Sequence, residues 1–239
     1  MEAAGYATLT RQSGLMREMQ IVANNIANAA TTGYRAEGLV FSEFVRRAGD
    51  GPSLSMARGN IPVTSGAQGP LSPTGSPFDF AIEGEGFFLV ETPEGNRLTR
   101  AGAFALSAGG DLVTADGFRV LDAGGAPVFV PPDIGTPGLA ADGTLSGDGR
   151  PLAQLGLFRP AGDGALIRAG GNLHAARDGI EPAPGGRIKQ GFLEGSNVEP
   201  VTQIARLIEV QRAYEMGQSF LDAENERMRS ALRTFIQSR

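Results

Sequence analysis

Few residues in this chain have the types and spacing that catalysis or ligand binding requires. Glu83 and Glu85 lie two positions apart. In a strand they would share one face, where paired carboxylates could act as general acid and general base. The neighbouring sequence supplies neither a basic nor an aromatic set that would hold a sugar. We therefore interpret both glutamates as exposed charges at a sheet edge.

Two Asp-Gly pairs, at 142–143 and 148–149, resemble the beginning of a calcium-binding loop. Their spacing does not fit the EF-hand pattern, and no glutamate follows at the position that supplies bidentate ligation. Asp-Gly is also a strong hairpin signal, because both residue types tolerate positive φ. We interpret the two pairs as hairpin turns.

The remaining candidates for chemistry are a lone histidine and a glycine-rich stretch. His174 is the only histidine and cysteine is absent, which excludes a His-based triad, a His-rich metal site and thiol chemistry. We expect His174 to lie at the surface or in a turn. The Gly-Glu-Gly stretch at 84–86 continues as a strand, whereas a phosphate-binding loop leads into a helix. The sequence predicts no enzyme, no cofactor, no metal site and no small-molecule substrate.

Composition excludes further classes of function. The net charge is −5 and the isoelectric point is near 5.0, whereas a nucleic-acid binder needs a basic surface. No window approaches 18 consecutive apolar residues, so we expect no membrane-spanning helix. The first residues lack a basic region followed by an apolar stretch, so we expect no cleavable signal peptide.

Residues 3–30 have the periodicity of a helix. Apolar residues recur at alternating steps of three and four, which is the a/d pattern of a coiled-coil seam. The stripe consists of Leu9, Gln12, Met16, Met19, Ala23, Ile26 and Ala30. Thr-Thr-Gly at 31–33 is expected to end the helix, with Gly33 suited to a left-handed C-terminal cap.

Residues 197–237 repeat the pattern over a longer helix. Its stripe consists of Ile204, Leu207, Gln211, Tyr214, Gln218, Leu221, Asn225, Met228, Leu232 and Phe235. Ser196 or Asn197 can cap its first turn, where Pro200 costs nothing. At about 1.5 Å per residue the helix is about 55–60 Å long, more than a compact domain of this size needs for itself.

Three polar positions interrupt the second stripe at intervals of seven, namely Gln211, Gln218 and Asn225. A buried amide at such a position specifies register and oligomeric state when it finds a partner. Alternatively, this line faces water and the apolar stripe is narrower. The sequence leaves both alternatives open.

The middle of the chain is rich in glycine and proline, which number 35 and 15 of 239 residues. Residues 34–77 predict a short helix or strand followed by an extended Gly/Pro-rich arm that orders against partners. Residues 78–191 alternate short apolar runs with Gly-Gly and Asp-Gly turns, which predicts a central all-β antiparallel domain. The predicted fold class is α+β, in which N- and C-terminal helices (1–33 and 192–239) pair as a coiled-coil-like domain.

Three motifs follow one another along the chain. The first is residues 22–35 (VANNIANAATTGYR). The second is residues 85–90 (EGFFLV) with 98–104 (LTRAGAF), in the middle of the chain. The third is residues 194–201 (EGSNVEPV) with 209–215 (EVQRAYE). In this order the motifs resemble those of the bacterial flagellar basal-body rod and hook proteins, and the resemblance spans nearly the whole chain.

The resemblance implies a structural subunit of the rod, which assembles through its terminal helices to transmit torque. Its partners would be other rod proteins, copies of itself and the flagellar type III export apparatus, and its location the rod that crosses the periplasm. The expected assembly interface is Leu9, Met16, Met19, Asn24, Asn25, Ile26, Asn28, Gly33, Ser196, Asn197, Val198, Ile204, Leu207, Gln211, Tyr214, Gln218, Leu221, Asn225, Met228, Leu232 and Phe235.

Departures at residues 216–219 and 222–229 from the distal-rod and hook pattern favour a proximal-rod subunit, with a distal-rod or hook-type subunit as the alternative. A secreted β-domain enzyme or carbohydrate-binding protein is a weaker alternative. It would need clustered aromatic residues, whereas the chain has no tryptophan and three tyrosines. A soluble coiled-coil adaptor is similarly weak.

Overall fold

The computed structural model describes residues 2–46, 54–162 and 166–237, which fall into two compact units. The helical unit comprises the described residues within 1–27, 37–63 and 199–239. The β unit comprises those within 28–36 and 64–198. The fold is α+β, with an N-terminal helix, a C-terminal helix and a central antiparallel β region, as the sequence predicts.

The helical unit contains the helices α1 (Glu2–Ala27) and α2 (Pro200–Gln237). Its strands β1 (Glu37–Arg46) and β2 (Leu54–Thr64) form a two-stranded sheet. The second strand therefore lies in the stretch for which the sequence predicts an extended arm. Among the described residues, neither helix is long and apolar enough to cross a membrane.

The helix α1 ends at Ala27, earlier than the Thr-Thr-Gly stop at 31–33. The reason is local, because the Thr31 N–H and hydroxyl both bond to Asn28, at 3.1 Å to its carbonyl and 3.1 Å to its Oδ1. Such bonds compete with continued helix. Gly33 does adopt the left-handed conformation, with φ 68°, but it lies in the loop beyond the helix and does not cap it.

The helix α2 begins with Pro200 in its first turn, as expected, but neither Ser196 nor Asn197 caps it. Glu199 precedes the helix, and its carbonyl accepts a hydrogen bond from Gln203 N–H at 3.1 Å. The Asn197 side chain instead binds Ala36 and Ala67 inside the β unit. The cap prediction is therefore wrong, because that amide is used in tertiary contacts.

The β unit is antiparallel throughout its described pairs. Its strands are β3 (Leu71–Pro73), β4 (Phe80–Glu83), β5 (Phe88–Thr92), β6 (Gly95–Thr99), β7 (Phe104–Leu106), β8 (Leu112–Thr114), β9 (Arg119–Leu121), β10 (Gly138–Leu139), β11 (Thr144–Gly147), β12 (Arg150–Gln154), β13 (Phe158–Pro160), β14 (Leu166–Arg168), β15 (Leu173–Ala176), β16 (Ile180–Pro182), β17 (Arg187–Gln190) and β18 (Phe192–Glu194).

A seven-stranded sheet in the order β14-β15-β6-β5-β9-β8-β7 organises the β unit. The strands β10-β11-β12 form a three-stranded sheet, and β13-β16, β17-β4 and β18-β3 pair in twos. The strand β5 is buried on both faces, because Phe88 and Val90 join the main core while Leu89 packs with Leu98 and Phe158 in a second cluster. That double burial explains its continuous apolar run.

The Asp-Gly turn at 148–149 joins β11 to β12 as the sequence predicts. Asp148 has φ 50° and Gly149 has φ 76°, the two left-handed conformations of a type I′ hairpin turn. At the other Asp-Gly pair, the Asp142 carboxylate accepts a hydrogen bond from Thr144 N–H at 2.9 Å. That hydrogen bond lowers the pKa of Asp142, so the carboxylate serves the turn.

Gly102, in the middle-domain motif, permits a close backbone approach. Its carbonyl accepts a hydrogen bond from Phe80 N–H at 2.9 Å, and a Cβ at this position would lie 1.7 Å from the Phe80 carbonyl oxygen. We predict that Gly102→Ala lowers the free energy of unfolding of the β unit by more than about 2 kcal/mol, because backbone must move to admit the methyl group. Urea denaturation measures this change.

Gly66→Ala is the matched control, since a Cβ there meets nothing within 4 Å and the backbone is not left-handed. It should be neutral or slightly stabilising. Equal effects of the two substitutions would contradict the steric explanation.

Candidate assembly surfaces and the buried Glu194 cluster

The predicted stripe of α1 lies beside the face that packs inside the helical unit. Leu9 and Met16 are 55% and 47% exposed, and Met19 and Ile26 are half-buried. Of the motif asparagines, Asn24 is exposed and Asn25 is buried. The inward-facing side chains of α1 are Gln12, Leu15, Glu18, Val22 and Asn25.

On α2 the offset is partial, because alternate positions of the predicted stripe coincide with the inward-facing side chains. Leu207, Tyr214 and Leu221 are half-buried, and Val210 is the most buried of its described side chains at 2% exposure. The predicted positions Ile204 and Met228 are each 48% exposed. Leu232 and Phe235 belong to α2, but their side chains lie outside the described residues.

The polar line Gln211, Gln218 and Asn225 is exposed within this chain. The Gln211 amide donates to Glu215 Oε1 on the same helix at 3.1 Å. Of the two alternatives, the single chain therefore has the line facing outward.

Polar contacts set the alignment of α1 against α2. Gln12 Nε2 donates to the Tyr214 carbonyl at 2.9 Å, and Asn25 Nδ2 donates to Gln203 Oε1 at 3.1 Å. Between them, Arg206 Nε donates to Glu18 Oε1 at 2.7 Å. Because positions rise along α1 as they fall along α2, the helices are antiparallel. Buried amides with partners favour one register over its neighbours.

Asn25 has a further role in the helical unit. Its Oδ1 accepts from the Glu37 N–H at 3.0 Å, and its Nδ2 donates to the Glu37 carbonyl at 2.8 Å. The side chain thereby mimics a strand partner for the first residue of β1. This explains why an asparagine stands at a position where helical periodicity alone would place an apolar residue.

A groove of about 290 Å³ separates the two helices near their middle. It is lined by Thr8, Arg11, Gln12, Leu15, Ala213, Met216, Gly217 and Phe220. Gly217 lets the helices approach, since a Cβ there would lie 2.5 Å from Gln12 Nε2. Met216 is 67% exposed and Phe220 is 47% exposed at the rim, so the groove is an apolar recess open to a neighbour.

In the β unit, one buried carboxylate gathers charged residues from all three motifs. Glu194 ends β18 and is fully buried. Its Oε1 lies 3.0 Å from Nη2 of Arg35, and its Oε2 lies 3.0 Å from Nη1 of Arg100. We call Arg35, Arg100 and Glu194 the Glu194 cluster.

Backbone groups complete the Glu194 cluster. Gly69 N–H donates to Glu194 Oε1 at 3.0 Å, and Gly33 N–H donates to the Glu194 carbonyl at 2.7 Å. Arg35 Nη1 donates to the carbonyls of Gly66 and Ala67. Loops distant in sequence therefore meet on one residue.

The cluster holds two guanidinium groups against a single carboxylate. Burial lowers the pKa of Arg35, and lowers that of Arg100 to about 10, while Glu194 opposes both changes. Arg100 therefore stays charged at neutral pH. A buried ion pair adds little net stability relative to an apolar core, but removing one partner is costly because the other charge stays buried.

The predicted motif residues lie around this cluster. Gly33 fits only as glycine, because a Cβ would lie 2.3 Å from Ala101 N. Asn197 bridges two loops, accepting from Ala36 N–H at 2.7 Å and donating to the Ala67 carbonyl at 2.7 Å. Ser196 Oγ accepts from Val198 N–H at 3.2 Å, and Val198 is buried. Within the structure, these positions organise the β unit.

The expectation that His174 lies at the surface or in a turn is wrong, because its side chain is fully buried in β15. Its flanking glycines suggest a turn, but strand pairing with β6 and β14 encloses the ring. Glu83 and Glu85 are exposed as expected. Among the described residues, no three His, Asp or Glu side chains are grouped so that they could hold a metal ion.

The sequence patterns did not predict that Arg35, Arg100 and Glu194 come together in one site. Each lies in a quoted motif, and Glu194 precedes a run of small and polar residues. The available signal was the presence of at least one charged residue in each motif. The spacing of residues along the sequence does not indicate that Arg100 and Glu194, which are 94 positions apart, share a buried ion pair.

Family models match three parts of the chain. Residues 7–35 match "Flagella basal body rod protein", residues 81–147 match "Flagellar hook protein FlgE/F/G D1 domain", and residues 189–234 match "Flagellar basal body rod FlgEFG protein C-terminal".

Known proteins resemble the chain over nearly its full length. The flagellar basal-body rod protein FlgF of Mesorhizobium japonicum is 40% identical over 90% of both chains. FlgF of Caulobacter vibrioides is 40% identical over 97% of both. The rod protein FlgG of Bacillus subtilis is 28% identical over 92% of this chain and 94% of its own.

We predict that Glu194→Gln lowers the free energy of unfolding of the β unit by about 3–5 kcal/mol, because it leaves two buried guanidinium groups without a counter-charge. Glu83→Gln is the matched control. Its partner Lys189 lies at 2.9 Å, a similar distance, but both side chains are more than 40% exposed.

The control should change stability by less than about 1 kcal/mol, because water screens an exposed pair. Chemical denaturation of both variants beside the wild type measures the difference. Comparable losses of stability in the two variants would contradict the view that burial makes the loss of the Glu194 charge costly.

Proposed function

Because the chain belongs to the bacterial flagellar basal-body rod protein family, we propose that it works as a structural subunit that assembles through its terminal helices and transmits torque. The observation that carries this proposal is the set of apolar side chains that α1 and α2 leave exposed. A rod under torque needs large, repeated contacts between subunits and no catalytic group.

The exposed apolar side chains concentrate on the helical unit. On α2 they include Val201 at 81%, Ile204 at 48%, Ile208 at 45%, Met216 at 67% and Phe220 at 47%. Scattered exposed apolar residues are ordinary on a soluble protein, but a sustained series along one helix indicates a surface that a partner covers.

Burial of these side chains would provide the energy of assembly. Full burial of a large apolar side chain contributes about 1.5–3 kcal/mol, and the half-exposed positions contribute a fraction of that. Contacts between unlike surfaces of successive copies generate an open helix rather than a closed ring. The apolar groove between α1 and α2 is a suitable hole for a side chain from a neighbouring helix.

We further propose that the packing of the helices in the assembly is coiled-coil-like. The half-buried positions Gln203, Leu207, Tyr214, Gly217, Leu221 and Glu224, with buried Val210, recur at steps of three and four. This heptad serves the contact with α1. The exposed positions one residue further along, beginning with Ile204, are free to contact other subunits. The helix α2 can therefore pack against α1 on one face and against a neighbouring subunit on another.

The domain organisation follows the same logic. Residues 1–33 and 192–239 would form the rod core through α1 and α2, residues 34–77 an arm, and residues 78–191 an outer β domain. In the single chain, residues 28–33 and 192–198 belong to the β unit. The polar line Gln211, Gln218 and Asn225 faces outward in the single chain, where it could discriminate between neighbouring subunits. Of the predicted stripe residues, we include in the assembly interface those that α1 and α2 leave exposed, together with Leu232 and Phe235.

We assign the subunit to the proximal rod, with the distal rod or hook as the alternative. Support comes from the identity to FlgF proteins, which is 34–40%, compared with 28–33% for FlgG proteins. Family membership supports the remaining proposals. These are export through the flagellar type III apparatus without a cleavable signal peptide, residence in the rod that crosses the periplasm, and assembly with other rod proteins and copies of itself.

We predict that Ile204→Asp abolishes incorporation into basal bodies but leaves the folded chain intact, because the side chain is exposed and contributes little to the single chain. In a strain lacking the wild-type protein, the variant should give no motility and no subunit in purified basal bodies. Ser219→Asp places the same charge at an exposed polar position of α2 and should be tolerated.

Circular dichroism and urea denaturation of each purified variant test whether folding is unchanged. Normal motility of the Ile204→Asp strain would refute the assignment of this face to assembly. Loss of incorporation in both variants would show that α2 tolerates no added negative charge, irrespective of apolar contact.

A further inference from the structure

His174 occupies a buried position between two strands. In the register of the seven-stranded sheet, it stands opposite Arg168 of β14 on one side and Leu98 of β6 on the other. Its ring centroid lies 6.0 Å from that of Phe87, and the side chain is fully buried. Neither ring nitrogen has a hydrogen-bond partner of good geometry.

Arg168 joins the hairpin of β14 and β15 to the loop that follows α1 in sequence. Its guanidinium carbon lies 4.3 Å from the centroid of the Tyr34 ring. Its Nη2 donates to the Arg35 carbonyl at 2.8 Å, and Asn172 Nδ2 in the same hairpin donates to the Thr32 carbonyl at 3.1 Å. We call these contacts the hairpin–loop attachment.

The charges that face His174 are mostly positive. Arg168 faces it from β14 and Arg35 from the loop, while Arg100 lies behind Phe87 with its guanidinium 5.2 Å from that ring. Glu194 is the buried carboxylate of this region, and it is already paired with Arg35 and Arg100. The other neighbours of the ring, Phe87 and the backbone of Leu98, carry no charge.

We propose that His174 makes the hairpin–loop attachment acid-sensitive: the attachment is closed while the imidazole is neutral and opens when the imidazole is protonated. A proton on His174 adds a buried positive charge with no free anion to receive it. Opening of the hairpin is the local response, because β14 is the edge strand of the sheet and edge elements open at lower free energy than central ones.

The direction of the pH dependence follows from the folded environment. Burial, the first cause, and the charge of Arg168 lower the pKa of His174 to about 4, and the Leu98 backbone partly opposes them. The closed state therefore binds fewer protons than the open state, whose histidine has an ordinary pKa near 6.5. Stability of the closed state is complete above about pH 6.5 and is lost as the pH falls towards about 4.

Hydrogen exchange with mass spectrometry on the full-length chain tests the proposal. Peptides covering 166–176 and 30–36 are compared between wild type and His174→Phe at each pH, so that intrinsic exchange rates cancel. Between pH 7 and pH 4, protection of the wild type relative to the variant should fall by a factor on the order of 10². The hairpin of β11 and β12 contains no histidine and should show no such difference.

Because His174 is the only histidine, NMR titration of its ring in the wild type provides a second measurement that does not depend on the variant. A ring that titrates well below pH 6, together with loss of protection in the two peptides, supports the proposal. A ring that titrates near pH 6.5, or equal pH dependence of wild type and variant, would overturn it. Neither result depends on the role in the rod.

Discussion

The ion pairing of Glu194 with Arg35 and Arg100 is the constraint on which the β unit depends. The two buried guanidinium groups share one carboxylate, so loss of Glu194 would leave both of them without a counter-charge. The residues that bring them together include a glycine that admits no Cβ and an asparagine that bonds to two loops. Backbone groups of the neighbouring loops bond to Glu194 and Arg35 and hold these charged side chains in place.

The cluster joins the two separate segments that form the β unit. These are the described residues within 28–36 and within 64–198. Arg35 lies in the first segment, whereas Arg100 and Glu194 lie in the second. One buried carboxylate therefore links a short segment that follows α1 in sequence to the rest of the β unit.

The helical unit divides its side chains between internal and external use. Gln12, Glu18 and Asn25 align the two helices through polar contacts, which specify one register. Exposed isoleucine, methionine and phenylalanine side chains remain available to neighbours. This separation lets the single chain have a defined helix pair and still offer apolar surface for assembly.

Local patterns in the sequence were sufficient for the two helices, the turn at 148–149 and the family, but not for the strand β2, which lies where they predicted an extended arm. Periodicity predicted both helices, Asp-Gly pairs predicted the turn at 148–149, and three motifs identified the family, because each of these signals is contained in neighbouring residues. The tertiary structure decided the rest. It placed His174 inside a sheet, moved part of the packing face of each helix one position from the predicted stripe, and joined Arg35, Arg100 and Glu194. Those outcomes depend on which distant segments meet, and burial and charge pairing across such distances leave no periodic trace in the sequence.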